Sequence, residues 1–333
     1  MIELTKYPET FCDKLSVFGS EGFLKTKSNE YGWLFDECFV TPFVIDNRGG
    51  FRRFVIMNEP IAFRDASIED EKKHLDDVCR YANLELKVDF LSGHTNAIFR
   101  VVPDSSISID WGTYMVALEG DEENLLKNMN AAKRTAVRKA IRAGVEVYNT
   151  NDIGEIFEVL KSTMTRQKEF YYPSMEYLFR LKENLGENVS YFVCRHDGKV
   201  QGGVVMLHNN LRGYYYYGGS IERPIKGSIP LLQLEVMKCL KKNSVSHYDL
   251  VGARLQLSPD SKFIGIQEFK HSLGGKLHVG KTFKVIFRPL RFTVYQLMLN
   301  GYFRLKGGRY KGDIIDQVRK AAAMPDVVLA PGT

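Results

Sequence analysis

Three short apolar segments crowded between Val189 and Gly218 constrain this chain more than any other feature. Residues 189–195 run into His196-Asp197-Gly198-Lys199 and continue as 200–208; Asn209-Asn210 then turns the chain into 211–218. An Asp-Gly pair between alternating apolar runs closes a β-hairpin, and segments joined this tightly pair antiparallel. Around this meander the patterning predicts a strand over 145–149 and helices over 153–167 and 174–184. After it come a helix over 229–242, a strand over 246–251, a helix around 261–271 and a strand over 276–287. The order β-α-α-β-β-β-α-β-α-β predicts an α/β (α+β) fold, with a mixed, mostly antiparallel sheet flanked by helices.

The rest of the chain is less marked. Residues 38–46 and 51–57 read as strands around the DNRGG turn, 67–81 as a helix, and 84–91 and 113–118 as strands. Residues 290–305 and 313–322 read as helices, with the last ten frayed. At roughly 150 residues per domain, 333 residues suggest about two domains or one duplicated unit.

Composition removes several classes. With 44% hydrophobic and 26% charged residues the chain can bury a full core, so general disorder is excluded. No apolar run approaches the ~20 residues of a membrane span, and MIELTKYPETFCDKL lacks the apolar core of a signal peptide, so a cytoplasmic location is expected. Five scattered cysteines without a CxxC pair, and histidines without HExxH spacing, give no disulfide framework and no expected metal site. The net charge of +6 is compatible with an anionic partner or with a surface tuned for solubility.

That charge is uneven. Residues 124–142 read as one helix ended by Gly144, with six positive charges and no acid over nineteen positions. Leu126, Val137 and Ile141 supply its apolar stripe, and Arg134, Arg138 and Arg142 share one flank at i, i+4 and i+8. Guanidinium forks suit phosphate, so this flank is either a phosphate grip or a solvated face.

Four stretches now carry a resemblance. The first is Lys133-Arg134-Thr135-Ala136-Val137-Arg138-Lys139-Ala140 with Gly144-Val145-Glu146-Val147. The second is Met164-Thr165-Arg166-Gln167 with tyrosines behind it, and the third the Tyr-rich segment ending Gly218-Gly219-Ser220. The fourth is Tyr248-Asp249-Leu250-Val251-Gly252, followed by Phe269-Lys270-His271-Ser272-Leu273-Gly274-Gly275. Their order and spacing over about residues 110–290 resemble the Fem family of bacterial peptidoglycan-bridge aminoacyltransferases, within the GNAT-like acyltransferases. The resemblance implies two GNAT-like subdomains with a cleft between them: an N-terminal one over 1–120, a C-terminal acyltransferase one over 121–290, and a helical extension over 291–333. It implies transfer of an amino acid from aminoacyl-tRNA to an amine of a cell-wall precursor. A long helical-hairpin arm, suggested to hold tRNA in some members, is missing. Lys25 or Lys27, ahead of Trp33, are candidates for the family's N-terminal substrate lysine.

Amide formation by an amine needs no covalent intermediate, only approach to a carbonyl and stabilisation of the oxygen that gains charge. The resemblance puts Lys270 beside the donor ester, where an ammonium would stabilise that oxygen; otherwise it is a solvated helix lysine. Asp249 is either the base or the cap of the loop that follows it. Arg166, Tyr172, Tyr216 and Phe269 are substrate-binding candidates. Tyr214/Tyr216 and Tyr215/Tyr217 should face opposite sides of their strand, and Phe170-Tyr171-Tyr172-Pro173 forms a lid or a plain loop anchor. The place that holds pyrophosphate in acyl-CoA enzymes is here 221–230. It has one glycine, and two prolines delete donors. Arg223, Lys226 and Ser228 remain donor-phosphate candidates.

The expected function is N-acyl transfer, with no tightly bound cofactor and aminoacyl-tRNA or acyl-CoA as donor. The expected acceptor is an anionic, nucleotide- or lipid-linked cell-envelope precursor. One competing reading is a CoA-dependent N-acyltransferase acting on an amino sugar for surface polysaccharide. The other is a non-catalytic binding module for tRNA or nucleotide-linked sugars.

Overall fold

The computed structural model describes residues 2–6, 9, 11–167, 172–324 and 326–333. The main path of its large sheet, edge to edge, is Glu3–Thr5, Tyr31–Phe35, Phe39–Arg48, Phe51–Ile56, Phe90–Gly93, Lys276–Ile286, Ile107–Ala117, His247–Asp249, Gly213–Ser220, Lys199–His208, Val189–His196 and Glu146–Asn149. Two neighbouring pairs are parallel, Phe51–Ile56 with Phe90–Gly93 and Gly213–Ser220 with His247–Asp249; the other pairs along the path are antiparallel. A helix separates the partners of each parallel pair, Ile68–Leu84 in one and Ser228–Lys242 in the other, as a parallel connection requires. The strand–helix–parallel-strand unit therefore occurs twice, once on each side of the centre.

At the centre, strands far apart in the sequence lie side by side. Lys276–Ile286, late in the chain, pairs with Phe90–Gly93 on one flank and Ile107–Ala117 on the other. Ile107–Ala117 pairs in turn with His247–Asp249. Apolar packing joins distant segments too: Phe18, Phe23, Trp33 and Val44 share a buried cluster with Leu160, Val193, Val205 and Tyr214.

The meander forms as its turn chemistry demands. Asp197 and Gly198 both take left-handed backbone, φ 48° and 72°, which matches the twist of a two-residue hairpin. Four expectations are corrected. The helix expected over 124–142 is two, Glu122–Asn128 and Ala131–Arg142. Met129 is extended, and the Asn130 side chain accepts from the Lys133 N–H at 2.9 Å, so an N-cap restarts the helix. The second helix buries Ala136, Val137 and Ala140, and Ile141 points to solvent instead of joining the stripe.

The strand expected over 84–91 shortens to Phe90–Gly93, because the preceding helix runs through Leu84 and the chain then reverses at Lys87, φ 51°. Described residues of the C-terminal segment expected to fray are instead paired. Val328–Leu329 pairs with Gln256–Leu257, and the Tyr114 hydroxyl donates to the Pro331 carbonyl at 2.7 Å. Strict alternation of the tyrosines fails as well. A bulge opposite Val205/Met206 leaves Tyr216 without a register partner. Tyr214, Tyr216 and Tyr217 consequently pack toward one core and Tyr215 toward the other.

Candidate active site

The strand His247–Asp249 pairs with Gly213–Ser220 at only two positions, Gly213 to Tyr248 and Tyr214 to Asp249. Beyond them the two strands part. The chain leaves the split through a turn in which Val251 and Gly252 both have left-handed backbone, φ 45° and 47°. For a β-branched residue that conformation costs on the order of 1–2 kcal/mol, so the surroundings must impose it. Asp249 imposes part of it: Oδ1 accepts from the Val251 N–H at 2.8 Å and from the Thr113 hydroxyl. Oδ2 faces an Arg212 guanidinium nitrogen at 3.5 Å. Burial pushes the Asp249 carboxyl up, against the pull of Thr113, Arg212, the Val251 N–H and Lys270.

The turn aims two carbonyls at one ammonium. Lys270, on the helix Phe263–Ser272 and 7% exposed, donates to the carbonyls of Val251 and, at 2.8 Å, Gly252. An ammonium has three N–H groups, so one remains for another acceptor. Burial brings the Lys270 pKa down to about 8, with Asp249 opposing. One turn earlier on the same helix, Gln267 is 2% exposed, and neither end of its side-chain amide has a hydrogen-bond partner among the described residues.

A second, half-buried lysine sits across the aromatic core. Lys27 ends the helix Glu21–Lys27, and its ammonium lies 5.4, 4.9 and 5.6 Å from the ring centres of Phe23, Tyr177 and Tyr216. Burial, then Arg48, lowers its pKa to about 8, with Asp46 opposing. The Tyr177 and Tyr216 hydroxyls are 2.7 Å apart. Burial, with Lys27 and Arg53, drives His94 down to about 3, so the imidazole is neutral. Lys25 is exposed. Ring contacts join the two lysine regions. Phe18 lies 4.5 Å from Tyr214, 5.8 Å from Tyr216 and 6.1 Å from His94, and the Arg212 guanidinium lies 5.9 Å from the Tyr214 ring.

The remaining candidates divide. Phe269 is half-buried under Lys133, whose ammonium is 5.2 Å from the ring centre, so the basic helix meets the Lys270 helix. Gly227, φ 96°, lets the 221–227 loop press on that same helix; a Cβ there would stand 2.0 Å from the Ala136 carbonyl oxygen. Arg134 is spent locally, donating to the Lys127 and Met129 carbonyls at 3.1 and 2.6 Å. Arg138 and Arg142 are exposed, with Arg142 Nε 3.3 Å from the Arg138 carbonyl. Arg166 donates to the Ser220 carbonyl at 3.2 Å.

Arg223 and Lys226 are exposed. Ser228 is fully buried with its hydroxyl donating to the Ile225 carbonyl at 2.8 Å, so it presents nothing to a donor phosphate. Tyr172 is exposed near Phe157; Phe170 and Tyr171 of the lid candidate lie outside the described residues. Among the described residues, no group of three or more His, Cys, Asp or Glu side chains is placed to hold a metal ion.

Sequence reading missed Thr113, Arg212, Glu59, His94 and Gln267. Glu59, whose carboxylate accepts from the Ile98 N–H at 3.2 Å, is pushed up by burial with Arg212 pulling it down. Thr113, Arg212 and Glu59 belong to segments far apart in sequence that the fold brings toward Asp249, whereas His94 lies with Lys27 and Gln267 on the Lys270 helix.

Residues 127–271 match the family model described as an acetyltransferase (GNAT) domain. The match covers under half of the chain, and the class to which it and the fold are similar is the GNAT fold. Within it the fold is Fem-like: the crystal structure of FemX aligns with a TM-score of 0.65 over 84% of this chain and 94% of that one, at 14% identity. A conserved protein of unknown function from Bacteroides thetaiotaomicron aligns at 0.56, over 86% of this chain and 100% of that one, at 12% identity. A tandem GNAT protein from the clavulanic acid biosynthesis pathway aligns at 0.50, over 80% and 86%, at 10% identity. At these identities the likeness is one of fold. None of the curated proteins matches the sequence.

Proposed function

We propose that this protein is an N-acyltransferase of the Fem type. It moves an aminoacyl or acyl group from an ester or thioester donor to the amine of an anionic, nucleotide- or lipid-linked cell-envelope precursor. The observation that carries the reading is the buried Lys270 ammonium, held by two carbonyls of a left-handed turn at the mouth of a parted strand pair. A fixed cation with one N–H to spare, out of bulk water, is the group an acyl transfer needs. In this reading the acceptor nitrogen attacks the donor carbonyl carbon and the oxygen gains charge beside Lys270. The carbon–oxygen or carbon–sulfur bond to the donor then breaks, and the leaving hydroxyl or thiol takes the proton that the amine loses. One such charge-stabilising donor is worth about 3 kcal/mol.

Asp249 serves as a positioning residue, since its oxygens are occupied by Thr113, Val251 and Arg212. The parted strand leaves residues 215–219 without a strand partner on one flank, where an extended acyl donor would lie; at Ser220 the backbone is already taken by Thr163 and Arg166. Lys27 and its rings would bind the acceptor, and Arg138, Arg142, Arg223 and Lys226 would meet phosphate. We propose the same working division as the sequence suggests: halves over 1–120 and 121–290, and a helical extension over 291–333.

A second reading, a CoA-dependent N-acyltransferase acting on an amino sugar, is favoured by the GNAT model over 127–271. A donor screen with purified protein tests both. Charged tRNA and acyl-CoA pools are paired with muropeptide and nucleotide-sugar acceptors. Turnover with charged tRNA supports the first reading and turnover with acyl-CoA the second. No turnover alongside tight RNA binding would make the protein a binding module.

A further inference from the structure

We propose that the helix Pro289–Leu305 docks this protein on an anionic lipid surface. The helix is apolar on both faces. Inward, Phe292 and Tyr295 pack on Phe90 at 5.0 and 5.2 Å, and Tyr295 on Phe51 at 5.4 Å. Outward, Leu290, Val294, Leu297, Met298 and Leu305 stand in solvent, with Leu290 85%, Leu297 63% and Leu305 91% exposed. At about 100° per residue, these five fall within one arc of roughly 100°. The glycine in that arc, Gly301, adds nothing polar to it. An outward helix face normally carries charge; a contiguous exposed apolar stripe marks a surface that something covers.

Charge selects the occupant. No Asp or Glu occurs from residue 289 to 312, whereas Arg304, Lys306, Arg309 and Lys311 crowd the end of the helix and the turn after it. Arg304 flanks the stripe by helical spacing. Apolar side chains edged by cations suit the boundary between acyl chains and anionic headgroups. A second copy on the same stripe would bring its own cations to the interface, with no acid in either segment to offset them. The helix lies on the surface and does not cross it: no helix among the described residues is long and apolar enough to span a membrane.

The proposal does not depend on acyl transfer, and its test reads binding alone. The full chain is sedimented with vesicles of phosphatidylcholine, with or without phosphatidylglycerol, at low and high salt. Binding is expected to the phosphatidylglycerol vesicles, weakened by salt and at least about tenfold by Leu290→Glu with Leu297→Glu. Both positions are exposed, so circular dichroism of the variant should match the parent. A second variant, Lys306→Ala with Arg309→Ala and Lys311→Ala, should reduce the preference for phosphatidylglycerol. Three results would overturn the proposal: no sedimentation with phosphatidylglycerol vesicles, sedimentation indifferent to the glutamates, or a dimer by light scattering that the glutamates dissolve in a chain that ignores vesicles.

Discussion

Asp249 and Lys270 grip one residue between them: the carboxylate accepts the Val251 N–H at 2.8 Å, and the ammonium donates to the Val251 carbonyl. The left-handed turn is held from both ends, and each partner is buried. Asp249→Asn keeps the shape but weakens the grip on the Val251 N–H, because a neutral amide oxygen accepts less strongly than a carboxylate. The expected outcome is a lower Tm and a modest loss of kcat. A positioning role leaves the acidic limb of the pH–rate profile in place, whereas loss of that limb would make Asp249 the base.

Lys270→Ala should lower kcat about a hundredfold, in line with the roughly 3 kcal/mol of one oxyanion donor, and change KM far less. Steady-state kinetics with whichever donor the screen identifies checks this. An unchanged kcat would remove Lys270 from the mechanism.

The lowered pKa of Lys270 gives two pH effects of opposite sign. If the ammonium is the working form, activity falls as pH rises through about 8. Stability moves the other way. Between about 8 and the ordinary value of 10.5 the unfolded chain binds more protons than the folded one, so stability increases with pH across that window. Thermal melts of the parent and Lys270→Met at several pH values isolate this group. The parent should gain on the variant from pH 8 upward, and a constant difference would contradict the buried charge.

Lys27→Met keeps the aliphatic stem among Phe23, Tyr177 and Tyr216 but removes the charge. In the acceptor-binding reading, KM for the acceptor rises several-fold with kcat held. Lys25→Met, at an exposed position, should change neither.

Arg134 and Arg138 sit four residues apart on one helix and should answer differently. Arg134→Ala frees two carbonyls at the helix break and should cost about 1 kcal/mol of stability in a denaturant titration. Arg138→Glu should leave stability alone and weaken binding of an anionic substrate, more so at low salt.

The local parts of this architecture were legible for local reasons. The Asp197-Gly198 turn fixed the meander, and helical spacing marked Ile153–Arg166 and Ser228–Lys242. The break at Asn130 was hidden because a charge run reads as continuous, although the N-cap residue was in plain view. The bulge at Tyr216 has no signature in four consecutive tyrosines. Of the candidate site, Lys270, Asp249 and Phe269 were singled out through one short stretch of resemblance. Arg212, Thr113 and Gln267 were not, since a long-range pair such as Thr113 with Asp249 leaves no trace in local periodicity.

The exchange of Lys276–Ile286 and Ile107–Ala117 across the centre bears on how the protein is made. While the ribosome has delivered only the first 120 residues, the flank of Phe90–Gly93 that later receives Lys276–Ile286 stays bare, inviting partners from other chains. The sheet closes only after residue 286 emerges, so synthesis precedes closure by most of the chain's length and folding should be slow. A fragment cut at the midpoint inherits that bare flank permanently and should aggregate rather than survive as an independent module.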